Sequence, residues 1–83
     1  NDNKVVLTPK EFDILYLLAS HPGRVFTRDK LLNRIWGFDY LGSSRSIDEH
    51  IKNIRQKIKE AGADYTYIQT VWGVGYKFEE LAP

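Results

Sequence analysis

Ile47, Ile51, Ile54 and Ile58 recur at steps of four, three and four residues. Such steps line up along one narrow side of an α-helix, and a stripe this apolar faces a core. The helix is predicted to start at Ser46, because Ser46-Ile47-Asp48-Glu49 has the form of a capping box. Gly62 is placed to stop it. On a wheel of 100° per residue, the side away from the isoleucines holds Glu49, Lys52, Asn53 and Gln56.

The rest of the chain must cover that stripe. Lys4-Val5-Val6-Leu7 reads as a short strand. Thr8-Pro9-Lys10-Glu11 then opens a helix: threonine caps, proline takes the first position and glutamate closes a capping box. Phe12, Leu15, Leu18 and Ala19 follow at helical spacing, widened by Ile14 and Leu17, up to His21-Pro22-Gly23. Arg24-Val25-Phe26 is extended, and Thr27 caps a second helix, Arg28 to Trp36, that buries Leu31, Leu32 and Ile35 and ends at Gly37. After the third helix, Thr66 to Trp72 is a β-rich run. Gly73-Val74-Gly75 reverses the chain, and Tyr76 to Glu79 returns as the second strand of a hairpin. The predicted class is α+β, a winged helix-turn-helix with a three-helix core and a C-terminal β-hairpin wing, forming one domain over 1–83.

Eighty-three residues with 42% hydrophobic content suffice for one small core. With no cysteine in the sequence, disulfides, thiolate metal sites and thiol nucleophiles are excluded. No run approaches the ~20 apolar residues of a membrane span. His21 and His50 have no metal-ligand or triad partners at useful spacing. Gly73-Val74-Gly75 lacks the following helix and the Gly-Lys-Ser/Thr arrangement of a phosphate loop. The expectation is a cytoplasmic protein without cofactor or catalytic residues, not an enzyme.

A net charge of +1 does not by itself imply a polyanionic partner. The distribution is more informative. From Arg45 to Lys59, the cations Arg45, Lys52, Arg55, Lys57 and Lys59 face only Asp48 and Glu49. Asparagine and glutamine pair with adenine edges and glutamate accepts from cytosine N4, so Glu49, Asn53 and Gln56 are base-reading types. Cations flanking such a face suit phosphate contacts. A solvated helix face is the plain alternative. A second alternative is a winged-helix protein-interaction module that does not bind DNA, a reading to which the near-neutral charge and Trp72 lend support.

Thr8-Pro9-Lys10-Glu11-Phe12, Arg28-Asp29-Lys30-Leu31-Leu32, Trp36-Gly37, Arg45-Ser46-Ile47-Asp48-Glu49-His50-Ile51 and Gly73-Val74-Gly75-Tyr76 occur in this order. Together they resemble the OmpR/PhoB family of response-regulator effector domains across nearly the whole chain. The resemblance implies a transcription factor that binds direct repeats of double-stranded DNA as a tandem dimer. Phosphorylation by a cognate sensor kinase would act through a separate receiver domain. A recognition helix of about 46–60 would lie in the major groove, and a wing of about 66–79 on the adjacent backbone or minor groove. Phosphate contacts are implied for Arg28, Trp36, Arg45, His50, Lys52 and Arg55, and base contacts for Glu49 and Asn53, with Gln56 added from the wheel. Ser46, Thr70 and Trp72 complete the expected DNA-binding set. Phe38, Asp39, Tyr40 and Leu41 correspond to the loop through which the family touches RNA polymerase. Core packing remains open for Trp36, His50, Phe38 and Tyr40.

Three departures bear on that carry-over. Trp72 stands where many members have a wing-tip arginine, which leaves packing on sugar or within the hairpin. Asn53 stands where many relatives have arginine. Of the four-stranded sheet that precedes the first helix in the family, only a last strand near Lys4–Leu7 is expected, frayed or paired with another chain; the receiver domain lies outside the sequence.

Overall fold

A computed structural model describes residues 5–37, 43–63 and 65–80. Helix α1 spans Pro9–Ala19, strand β1 Phe26–Thr27, helix α2 Arg28–Trp36, helix α3 Arg45–Glu60, and strands β2 and β3 Ile68–Val71 and Gly75–Phe78. The strands form an antiparallel sheet in the order β1-β3-β2. Three helices against a small sheet with a C-terminal hairpin is the winged-helix architecture expected.

The local signals act as read at two helix starts. The Thr8 hydroxyl accepts from the Glu11 N–H at 3.2 Å and the Glu11 carboxylate accepts from the Thr8 N–H at 2.9 Å, a complete capping box. Thr27 accepts from the Lys30 N–H at 3.1 Å, and Gly37, with φ 98°, ends α2. At α3 the reading needs correction. The helix begins at Arg45, and Ser46 lies in its first turn, where its hydroxyl donates to the Ser43 carbonyl at 2.9 Å. The Ser43 hydroxyl and carbonyl take the N–H groups of Arg45 and Ser46. Ser46 is thus no cap, because the preceding serines already close the turn.

Every element contributes to one core: Ile14 and Leu18, Phe26, Leu31 and Leu32, Ile47, Ile51 and Ile54, Ile68, and Tyr76. Ile58, Leu15, Leu17 and Ile35 pack at its edge. Burying each α3 isoleucine is worth about 1.5–3 kcal/mol. Helix α1 turns Glu11, Ile14 and Leu18 inward. Phe12 therefore points out, stacked on Tyr16 at 6.0 Å, rather than into the core as its spacing suggested. Val5–Leu7 lie outside the sheet, as a frayed strand would, and Lys4 lies outside the described residues, while β1 sits one residue beyond the extended run read at 24–26.

Two long-range contacts set the packing. Glu11, 3% exposed, pairs with Lys57 of α3 at 2.6 Å. Burial pushes the Glu11 carboxyl up, but the bonds from Lys57 and the Thr8 N–H, with the Lys57 charge, outweigh it, and its pKa lies below the ordinary value. Gly75 belongs to β3 rather than to the turn. A Cβ there would lie 2.0 Å from the Phe26 carbonyl oxygen, so β1 and β3 come this close only because residue 75 has no side chain.

Gly75→Ala is expected to cost about 3 kcal/mol or more, since backbone on both strands must move; urea unfolding measures it. Glu11→Gln should cost about 1.5–3 kcal/mol at neutral pH. Because the folded pKa is lowered, this stabilisation is complete above the unfolded carboxylate value and disappears as pH falls through the folded one. Unfolding curves from pH 7 down to pH 3 should therefore show the gap between wild type and Glu11→Gln closing in acid.

Candidate nucleic-acid interface

Burial of the isoleucine stripe decides what α3 shows to water. Glu49, Lys52, Asn53 and Gln56 are all exposed, as is Arg45 at the helix start. Neither the hairpin nor the other helices cover this side. Gln56 is partly engaged, its amide donating to Glu60 at 3.0 Å.

The flanks are built differently from the face. On the sheet side, Arg55 donates from Nε and Nη2 to the Ile68 carbonyl at 3.1 and 2.8 Å, and from Nη2 to the Thr70 hydroxyl at 2.8 Å. Its guanidinium also lies 5.5 Å from the Tyr76 ring centroid. Arg55 and Thr70 thus tie α3 to β2, and a phosphate contact from either would share groups already used inside the domain. Asp48 accepts from the Tyr76 hydroxyl at 2.6 Å and from Arg28 at 2.8 Å. One carboxylate so joins α3, β3 and the start of α2. Arg28 remains half-exposed beside the wing tip. Burial first, then the Asp48 bond and charge, pushes the Tyr76 phenol up to about 12.

On the other flank, His50 Nδ1 lies 2.7 Å from the Ser46 carbonyl. A carbonyl only accepts, so Nδ1 carries the hydrogen; Nε2 then offers one to an anion only in the imidazolium form. The His50 ring meets Trp36 edge-on at 5.0 Å, and Lys10 lies 5.2 Å over Trp36 while donating to the Ile35 carbonyl at the end of α2. Trp36 is half-buried, in contact with core and surface alike. Lys57, read as a flanking phosphate contact, is turned to Glu11 instead. The expected polymerase-contact residues Phe38, Asp39, Tyr40 and Leu41 lie outside the described residues.

Beyond Arg55, the wing is short. The Val74 N–H donates to the Val71 carbonyl at 2.9 Å, and Gly73 takes φ 79°, leaving Trp72 89% exposed at the tip. Packing within the hairpin, one alternative left by the sequence, is thereby removed. At the hairpin base, Tyr67 stacks on Phe78 and meets Tyr65 edge-on, beside an open groove of about 670 Å³ along α3. Sequence reasoning missed Asp48 as the joint of three elements. Its position beside the stripe was visible, but partners 20 and 28 residues away leave no local pattern.

The family model of the transcriptional regulatory protein C terminus matches residues 2–78. The chain belongs to this family, the OmpR/PhoB effector domains. It is 51% identical over 74 residues to the transcriptional regulatory protein YclJ of Bacillus subtilis, covering 89% of this chain and 32% of YclJ. It therefore spans about a third of the length of such relatives. Among solved structures it is similar to the response regulator DrrB of Thermotoga maritima, an OmpR/PhoB homologue. There the TM-score is 0.77 and the identity 44%, over 90% of this chain and 34% of that one. It is also similar to the DNA-binding domain of RstA from Klebsiella pneumoniae, solved in complex with the RstA box. That match has a TM-score of 0.75 and 37% identity, over 90% of this chain and 74% of that one.

Tyr76→Phe should lower stability by about 1–2 kcal/mol at neutral pH, because Asp48 loses a short bond. With the folded phenol pKa raised, this contribution is present below the unfolded value near 10 and is lost as pH rises toward about 12. Alkaline unfolding monitored by circular dichroism should show the difference from Tyr76→Phe vanishing across that range.

Proposed function

We propose that this domain binds double-stranded DNA sequence-specifically, as the transcription-regulating output domain of a two-component response regulator. The observation that carries the reading is the uncovered polar side of α3, held opposite the buried Ile47, Ile51 and Ile54. An α-helix fits the major groove, and Glu49, Asn53 and Gln56 present groups matched to base edges there. Lys52 and Arg45 reach phosphate beside them, with Ser46 and His50 at the same end of the helix. Arg28 and Trp36 extend the contact along α2, and the wing follows the neighbouring backbone or minor groove.

Internal bonds refine the roles. Arg55 and Thr70 chiefly fix the angle between α3 and the wing, and their contribution to binding is first one of placement. Contact through His50 depends on the protonated ring. Binding to direct repeats as a tandem dimer, contact with RNA polymerase through Phe38–Leu41, control by a sensor kinase through a receiver domain, and a cytoplasmic location belong to the same proposal. They rest on family membership. The described residues include no helix long and apolar enough to cross a membrane.

Selection of bound sites from a random duplex pool supplies the probe. On that site, Asn53→Ala should relax preference at one base pair by ~1–3 kcal/mol. Lys52→Ala should weaken matched and scrambled duplexes alike and flatten the salt dependence by about one logarithmic unit. Indistinguishable behaviour of the two variants would contradict the assignment of reader and positioner. Failure to enrich any duplex at low salt would defeat the proposal as a whole.

A further inference from the structure

The wing tip carries no cation. From Thr66 to Tyr76 the sequence has neither lysine nor arginine, and Lys77, further down β3, lies 3.8 Å from Glu79, so the tip itself offers a polyanion no charge. Its one large side chain is Trp72, 89% exposed, with Val74, 48% exposed, beside it across Gly73. The tip stands on a fixed base. Gly75 is pressed against the backbone of β1, Arg55 holds the Ile68 carbonyl, and Tyr76 is bonded to Asp48. An indole is thus presented to solvent from a closed turn, next to a cleft of about 150 Å³ that it lines together with Arg28 and Asp48.

We propose that Trp72, supported by Val74, is an apolar wedge that enters the DNA minor groove beside the α3 contact and reads the deformability of the step it meets. This rests on the DNA-binding reading and specifies what the wing contributes to it. The minor groove walls are deoxyribose, against which a flat apolar ring packs. Apolar side chains set against a minor-groove step unstack it and bend the duplex. Pyrimidine–purine steps, TA above all, yield most easily. The indole N–H adds one donor for the adenine N3 and thymine O2 acceptors on the groove floor. The wing so selects sequence through the energy of deformation, in a region where α3 makes no base contact. Arg28, at the edge of the same cleft, stands beside the tip to meet the adjoining phosphate.

The test uses this domain and a duplex selected by it from a random pool, with each step on the wing side of the α3 contact changed in turn to TA, AA or GC. Wild type is expected to prefer TA at one such step and to bend the duplex in a permuted-site gel assay. Trp72→Ala should lose about tenfold or more in affinity, together with the TA preference and the bend, while the slope of affinity against salt stays unchanged. Trp72→Phe should retain most of all three. Trp72→Arg should recover affinity with a steeper salt slope and without the TA preference. The side chain is exposed, so unchanged melting curves for these variants are expected. Should Trp72→Ala bind as tightly as wild type with the same step preference, or lose affinity only through a flatter salt slope, the wedge is wrong while DNA binding stands. If the wild-type domain enriches no duplex at all, both readings fall.

Discussion

Three isoleucines of α3 leave water together, and the whole domain is arranged to let them. Ile47, Ile51 and Ile54 are essentially inaccessible, and they are covered by residues from α1, α2 and all three strands. A helix buried along one narrow stripe has a fixed rotation about its axis. Rotation by one residue would pull an isoleucine into solvent and push a charged neighbour inward, at a cost of several kcal/mol. The direction in which Asn53 and Gln56 point is therefore set by hydrophobic burial on the opposite side. Base-edge hydrogen bonds need such orientation, and the core supplies it before any ligand is present.

The residues next to the stripe hold the helix along its length. Asp48 joins it to α2 and β3, Arg55 to β2, and Lys57 to α1. An exposed ion pair such as Arg28–Asp48 adds little stability alone. Here the second carboxylate oxygen also takes a buried phenol, so the same group fixes an angle between elements. This division decides which cations the face of a chain of net charge +1 retains. Lys57 is neutralised inside the domain and Arg55 is bonded to backbone, whereas Arg45 and Lys52 remain at the surface with the amides between them.

Legibility followed the range of the interaction. The Thr8–Glu11 box and the Thr27 cap lie within four residues, and both form as their sequences indicate. Ser46-Ile47-Asp48-Glu49 has the same pattern and is not a cap, because Ser43 reaches the first-turn amides from outside the motif. A short match cannot tell a cap from a first turn. The stripe and its opposite face were legible because periodicity records which side is buried. It does not record the partner, so Lys57 looked like one more flanking cation until Glu11, 46 residues away, met it. Phe12 was misassigned for a related reason: α1 has more apolar positions than one core can hold, and the side that turns in carries Ile14, Leu18 and the Glu11 paired with Lys57. Gly75 looked like turn chemistry beside Gly73. Only the approach of β1 separates a glycine chosen for its φ from one chosen for lacking a side chain.

Helix and wing behave as one unit because the bonds between them lie close to the proposed interface. Arg55 touches both, so a substitution there changes wing placement as well as removing a cation, and loss of binding would not by itself identify a phosphate contact. Thr70 has the same ambiguity, since its hydroxyl already accepts from Arg55. Asn53, Lys52 and Trp72 do not: each is exposed, and none holds another element in place. On the proposed reading, their side chains separate three ways of recognising a duplex, by base edge, by charge and by deformability. The fold presents all three from a scaffold whose own stability depends on none of them.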